Sequence, residues 1–127
     1  MTTSALAIML HEASQTPRFA PIAYPRQHCP ECMIEFAPAH ARPIFCSGAH
    51  QANFQNRMTV RGRVLAPLAI AAHITRGGTR DDKTTGREAR RDAEHLMRRW
   101  ASEDKAAGRM SATAYMALRY RKGFTIA

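Results

Sequence analysis

The sequence predicts a small α+β protein: a short, cysteine-bearing unit of hairpin and helix, followed by a mainly α-helical C-terminal region. Three observations lead there. All three cysteines, Cys29, Cys32 and Cys46, fall in the stretch HCPECMIEFAPAHARPIFCSGAHQANFQNR, with His50 close behind the last of them. The residues between the cysteine groups split into two short β-prone runs around a proline-bearing loop. Beyond residue 62 the apolar side chains recur with helical spacing rather than strand alternation.

The cysteine stretch reads C-x2-C, thirteen intervening residues, then C-x3-H. Zn2+ imposes no d-electron geometry and accepts four sulfur or imidazole ligands in a tetrahedron; a closed set of four is structural rather than catalytic. In the CPEC turn Pro30 pre-sets φ, and the amides after Cys29 are free to point at its sulfur. Cys46 and His50 are one helical turn apart and share a face if a helix starts near Ser47, itself a favoured N-cap residue. Cys29, Cys32, Cys46 and His50 are therefore expected to hold one structural Zn2+. Three thiolates and a neutral imidazole leave the centre with a formal charge of about minus one, which Arg42, Arg57, Arg61 and Arg63 can offset. Three unrelated buried cysteines would be the bland alternative. A disulfide fits worse, because three is odd and the N-terminus carries no export signature. His28 and His40 are rival fourth ligands, and helix geometry favours His50. His11, His73 and His95 receive no role.

Between the ligand pairs, strands are expected at Ile34–Phe36 and Pro43–Phe45, joined by a loop around Pro38–Ala41. Phe36 and Phe45 should flank the metal, with Phe54, one turn after His50, closing a small core. Gln51, Gln55, Asn56 and Arg57 lie on other faces of the helix; with Arg61 and Arg63 they are the candidate nucleic-acid contacts, able to meet base edges or phosphates. A solvated polar helix face is the alternative for the same residues.

Cys29, Pro30, Cys32 and Phe36, then Arg42, Phe45, Cys46, Ser47, His50, Phe54, Asn56 and Arg57, make a pattern that resembles short bacterial and phage treble-clef zinc fingers of the CxxC…FCSxxC type. The resemblance implies a zinc knuckle, a β-hairpin and a helix carrying the second ligand pair. More loosely, the same CPxC…FCSxx core resembles small zinc proteins that bind and inhibit DNA gyrase. Two departures stand out. Met33 occupies a position where glycine often follows the knuckle, and His50 replaces the usual fourth cysteine.

Residues 1–27 read as an N-terminal arm: a short helix from Ser4 with Leu6, Met9 and Leu10 on one face, then a run broken by Pro17, Pro21 and Pro25. The finger spans 28–62 and the helical region 63–127. Gly62 is expected to separate the finger helix from an apolar helix over 63–75, with Pro67 in its first turn and Leu65, Leu68, Ala72 and Ile74 facing a core. Gly77 and Gly78 end that helix, and residues 77–87 read as a mobile linker. Residues 87–106 form the clearest amphipathic helix, with Ala89, Ala93, Leu96, Met97 and Trp100 inward. A final helix opens at Ser111 and turns Tyr115 and Leu118 inward.

Lys and Arg number 19 against 10 Asp and Glu, a net charge of +9, and residues from Arg76 onward hold 13 of those cations with 7 acids. That balance favours an acidic partner and binding that falls steeply with salt. No apolar run reaches the ~20 residues of a membrane span; with no export signature and with metal-liganding rather than bridged cysteines, a cytoplasmic chain is expected. No triad spacing, phosphate-binding glycine loop or spare carboxylate pair supports an enzyme or a small-molecule substrate. Some nucleases of the HNH type use a treble clef, but every Asp here lies at position 81 or later, and a four-ligand zinc leaves no site for water. The expectation is a zinc-binding DNA-binding protein of the phage- or plasmid-regulator kind, with RNA as a second nucleic-acid partner to consider. The alternative is a zinc-dependent interaction adaptor or an inhibitor of a DNA-processing enzyme.

Overall fold

The structure is a computed structural model in which residues 24–124 are described. The helix expected from Ser4 and most of the arm lie outside those residues. Strands β1 (Gln27–His28) and β2 (Glu35–Phe36) pair antiparallel, Gln27 opposite Phe36 and His28 opposite Glu35. Helices α1 (Gly48–Ile74), α2 (Lys83–Ala106) and α3 (Ala112–Arg121) make up most of the rest, so the chain is α-dominated with a small two-stranded sheet.

The expected hairpin between 34–36 and 43–45 does not form. The CPEC turn itself reverses the chain: Met33 N–H donates to the Cys29 carbonyl at 2.7 Å, and Cys29 N–H to that of Ile34 at 3.1 Å. That closure zips the residues before Cys29 onto those after Ile34. Pro43 has no N–H to contribute to a ladder. Its carbonyl instead accepts from the Gln27 side chain at 2.6 Å, so this run is tied to β1 through a side chain.

Ser47 caps α1 as expected: it is extended (φ −154°), and its Oγ accepts from His50 N–H at 3.2 Å. The helix then runs unbroken for 27 residues, about 40 Å. Gly62 does not punctuate it, and Pro67 lies deep in its interior rather than in a first turn. A lone helical glycine costs only about 1 kcal/mol against alanine, and packing of Leu65, Leu68 and Ala72 outweighs it; these three are half-buried, whereas Ile74 is exposed.

The tract expected as a linker is a closed turn followed by helix. The carbonyl of buried Thr75 accepts the N–H groups of Gly78, Thr79 and Arg80, and Thr75 Oγ1 donates back to the Ala71 carbonyl at 2.8 Å. Gly77 and Gly78 take φ of +66° and +94°, the left-handed region glycine enters freely. Asp82 then caps α2, accepting from Thr85 N–H at 3.1 Å, so this helix begins four residues earlier than residue 87. Gly86, Ala89 and Ala93 form its buried stripe, small side chains that let α2 lie close against α1 and the turn.

After Gly108, Ser111 caps α3, which turns back to the cysteine end. Met110 N–H donates to the Pro30 carbonyl at 3.0 Å, and Lys122 Nζ to the Ala41 carbonyl at 2.8 Å. Arg61 of α1 makes a two-pronged pair with Asp104 of α2 at 2.9 Å per prong, and Arg109 adds a third hydrogen bond at 3.0 Å. Burial pushes the Asp104 carboxyl up, but Arg61 and Arg109 outweigh it and hold the group below the usual carboxylate range.

Two glycine substitutions in helices should have opposite signs. A Cβ on Gly86 would fall within 2.6 Å of Thr75 Cβ and 3.1 Å of Gly78 Cα, inside van der Waals contact with a buried turn. Gly86→Ala should lower stability by about 1–3 kcal/mol despite its helix propensity. Gly62 meets nothing within 4 Å, so Gly62→Ala should raise stability by up to about 1 kcal/mol. Thermal unfolding followed by circular dichroism at 222 nm measures both.

Candidate metal centre

The knuckle turn supplies Cys29 and Cys32; the segment entering α1 supplies Cys46, and its first turn His50. One ligand atom from each lies within 4.8 Å of the other three. Cys32 Sγ and Cys46 Sγ are 3.8 Å apart, Cys29 Sγ and His50 Nδ1 also 3.8 Å, and Cys46 Sγ and His50 Nδ1 3.0 Å. A tetrahedron with metal–sulfur bonds of about 2.3 Å has sulfur–sulfur edges of about 3.8 Å. Three thiols and an imidazole at these separations fit one tetrahedral ion, and the donor set is one that Zn2+ favours. His50 is the histidine brought in, through Nδ1. His28 turns away, its Nδ1 3.0 Å from the Met33 carbonyl, and His40 is exposed in the loop.

Electrostatics separate the thiols. Burial raises the Cys29 pKa, yet the amides of Cys46, Cys32 and Glu31 and the His50 ring outweigh it and bring the thiol down to about 7. The amides of Glu31 and Cys32 are those expected of the CPEC turn; that of Cys46 comes from the segment entering α1. Cys46 is pushed up to about 11 by desolvation within the cluster and then by the Cys29 and Cys32 sulfurs beside it. Three sulfurs this close repel as thiolates, and a divalent cation among them removes the conflict.

The shell around the cluster comes from far along the chain. Phe45 and Phe54 rings meet at 5.1 Å, and Tyr115 of α3 covers Phe54 at 4.6 Å. Glu31, between the two knuckle cysteines, takes both Nη atoms of Arg57, at 3.0 Å and 2.5 Å. That guanidinium, foremost through its hydrogen bonds, holds the Glu31 carboxyl below the ordinary range. Met33 sits at φ +60°, in the left-handed region, with a side chain where the backbone would favour glycine.

The six candidate nucleic-acid residues divide. Gln51, Gln55, Asn56 and Arg63 are exposed on α1. Gln51 and Gln55 are one turn apart, and Asn56 and Arg63 share another stripe two turns long. Arg57 and Arg61 are half-buried in ion pairs with Glu31 and Asp104, and Arg61 also lies over the Trp100 ring at 5.5 Å. Sequence reading missed Glu31, Asp104, Met110 and Tyr115 as supports of this centre. Nothing local marks their partners, which lie 26 or more residues away. No protein-family model, curated protein or solved structure matches the chain.

Two outcomes follow for the centre. With Co2+ as a spectroscopic stand-in, the wild type and His50→Cys should both show intense thiolate charge-transfer absorption and tetrahedral d–d bands, while His50→Ala should bind at least tenfold more weakly in a chelator competition. Met33→Gly should relieve about 1 kcal/mol of backbone strain, read as a higher melting temperature of the metal-loaded protein.

Proposed function

We propose that the chain is a zinc-dependent DNA-binding protein, with a treble-clef type finger stabilised by Cys29, Cys32, Cys46 and His50, working in the cytoplasm as a regulator of the phage or plasmid kind. The observation that carries this reading is the charge left over once the fold has used its acids. Glu31, Glu35, Asp92, Glu94, Glu103 and Asp104 are each within 4 Å of an arginine. Among the described residues Arg63, Arg76, Arg80, Arg87 and Arg98 have no carboxylate partner. With a net charge of +9, an exposed set of unneutralised guanidiniums suits a phosphate backbone. Gln51, Gln55 and Asn56 are the side chains that would meet base edges, and Arg63 a phosphate. Arg57 and Arg61 act on this reading as struts that orient the helix.

One feature favours the adaptor alternative. An apolar groove of about 420 Å³ runs between α1, α2 and α3, walled by Phe54, Met58, Leu65, Met97, Trp100 and Tyr115. Methionine-rich grooves accept apolar faces of partner helices. Trp100, the single tryptophan, reports on it directly.

Gel shifts of the zinc-loaded protein with duplex DNA at low and raised salt test the first reading. Binding should weaken steeply with salt. Arg63→Ala should weaken it on every sequence and lower the log–log salt slope by about 0.9, with the melting temperature unchanged. Arg61→Ala should act mainly on stability, costing about 1–2 kcal/mol, because Asp104 loses its two-pronged partner and keeps only Arg109. No shift at low salt, with Trp100 emission moving on addition of a partner protein, would favour the adaptor.

A further inference from the structure

At the far end of α1 from the cysteines, a basin of about 680 Å³ opens beside the α1–α2 turn. Its walls are Ala72, His73, Arg76, Gly77, Arg80 and Arg90, together with Ile74. Arg76 follows the end of α1, Arg80 closes the turn, and Arg90 comes from the second turn of α2. No carboxylate lines the basin. Asp82 is engaged in capping α2, and Glu94 accepts only from Arg90 Nε, at 3.0 Å. Arg76 and Arg80 have no carboxylate partner among the described residues, while Arg90 shares its charge with Glu94; cations gathered at one opening repel one another. An oxyanion placed among them converts that repulsion into attraction, and arginine's planar fork suits phosphate oxygens in pairs.

The backbone beneath is built to hold this arrangement. Arg80 N–H donates to the Thr75 carbonyl, and the same carbonyl takes Gly78 and Thr79, which fixes where Arg76 and Arg80 leave the chain. Arg90 crosses directly over Gly77: its Cδ and Nη1 lie 2.9 Å from where a Cβ would stand. A side chain at this position would push the arginine off that path. Arg76 itself is held at φ +50°, a conformation that costs a non-glycine residue about 1–2 kcal/mol. Backbone held in a sparsely populated region by its surroundings is a common companion of a ligand site.

We propose that this basin is a phosphate-binding site, with Arg76, Arg80 and Arg90 as its ligand-holding side chains. Its identification as a grip on a nucleic-acid backbone phosphate rests on the DNA-binding reading above. On that reading the two ends of α1, about 40 Å apart, contact the same duplex, a span of about twelve base pairs.

The test uses the full, zinc-loaded chain labelled with 15N. Inorganic phosphate is titrated at constant ionic strength, with chloride as the blank, while Gly77 and Gly78 amides are followed. Duplex DNA binding is then measured across a salt series. Arg76→Gln with Arg80→Gln removes two cations from the basin. Arg91→Gln with Arg99→Gln removes two cations of α2 that lie beside Asp92 and Glu103, and serves as the equal-charge control; all four residues are exposed. Phosphate should shift both glycine amides saturably in the wild type and the control, and not in the basin variant. The basin variant should also lose about one to two from the log–log salt slope for DNA, more than the control. Absence of a saturable shift, or an equal shift in the basin variant, overturns the site. If the glycines respond to phosphate but no form of the protein retards DNA, the basin stands and the DNA-binding reading falls. If DNA binds with a slope the basin variant leaves unchanged, the reading stands and the α1–α2 turn is not part of it.

Discussion

Four ligand atoms drawn from two chain segments, the knuckle and the start of α1, are the constraint on which the cysteine end of this protein depends. Among the described residues the most completely buried side chains are Cys29 and Pro30, so the driest point of the fold is the knuckle itself. Elsewhere the buried apolar set is thin: Ile44, Phe54, Ala89, Ala93 and Leu118. A chain with so little buried hydrocarbon has a small favourable term to set against its conformational entropy. A tetrahedral ion at the clasp can contribute on the order of 10 kcal/mol to folding. That is comparable to the whole stability of an ordinary domain.

What surrounds the clasp is a lattice of arginines, and they have two distinct uses. Arg57 binds Glu31 inside the knuckle, and Arg61 binds Asp104 across α1 and α2, both with little solvent around them. Arg109 shares the same Asp104, and Arg119 lies over the rings of Phe124 and Tyr115. These side chains substitute for a larger apolar core, since their stems pack while their heads satisfy carboxylates and aromatic faces. The remaining arginines, on the outer faces of the helices and at the α1–α2 turn, keep their charge facing water. A basic protein of this composition thus presents fewer free cations than its net charge suggests, and presents them in particular places.

Helix α1 joins these two regions, polar-faced in its first half and apolar nearly all the way round over residues 64–74. Val60, Val64, Ile70 and Ile74 are exposed on it, while Leu65, Leu68 and Ala72 face α2. A helix of that kind gains little from amphipathic sorting. Its position is set at its ends instead, by Ser47 and the ligand pair at the start and by the Thr75 turn at the finish.

The convergence of Cys29, Cys32, Cys46 and His50, the Ser47 cap and the Ala89 and Ala93 part of the inward stripe of α2 were legible in the sequence, because each rests on spacing within one or two helical turns or on a single residue's hydrogen-bonding chemistry. Met97, expected inward, is instead exposed at the wall of the apolar groove. Strand pairing was not legible: whether Glu35–Phe36 joined the residues before the knuckle or those after the loop depended on which closure the CPEC turn imposed, and short β-prone runs carry no partner label. Nor was the continuity of α1, where tertiary packing overrode a glycine and a proline that local propensity reads as punctuation. The ion pairs of Arg57 and Arg61, and the return of Tyr115 onto Phe54, were decided by the tertiary structure alone. Residues so far apart in the chain become neighbours only once the helices have folded back on one another.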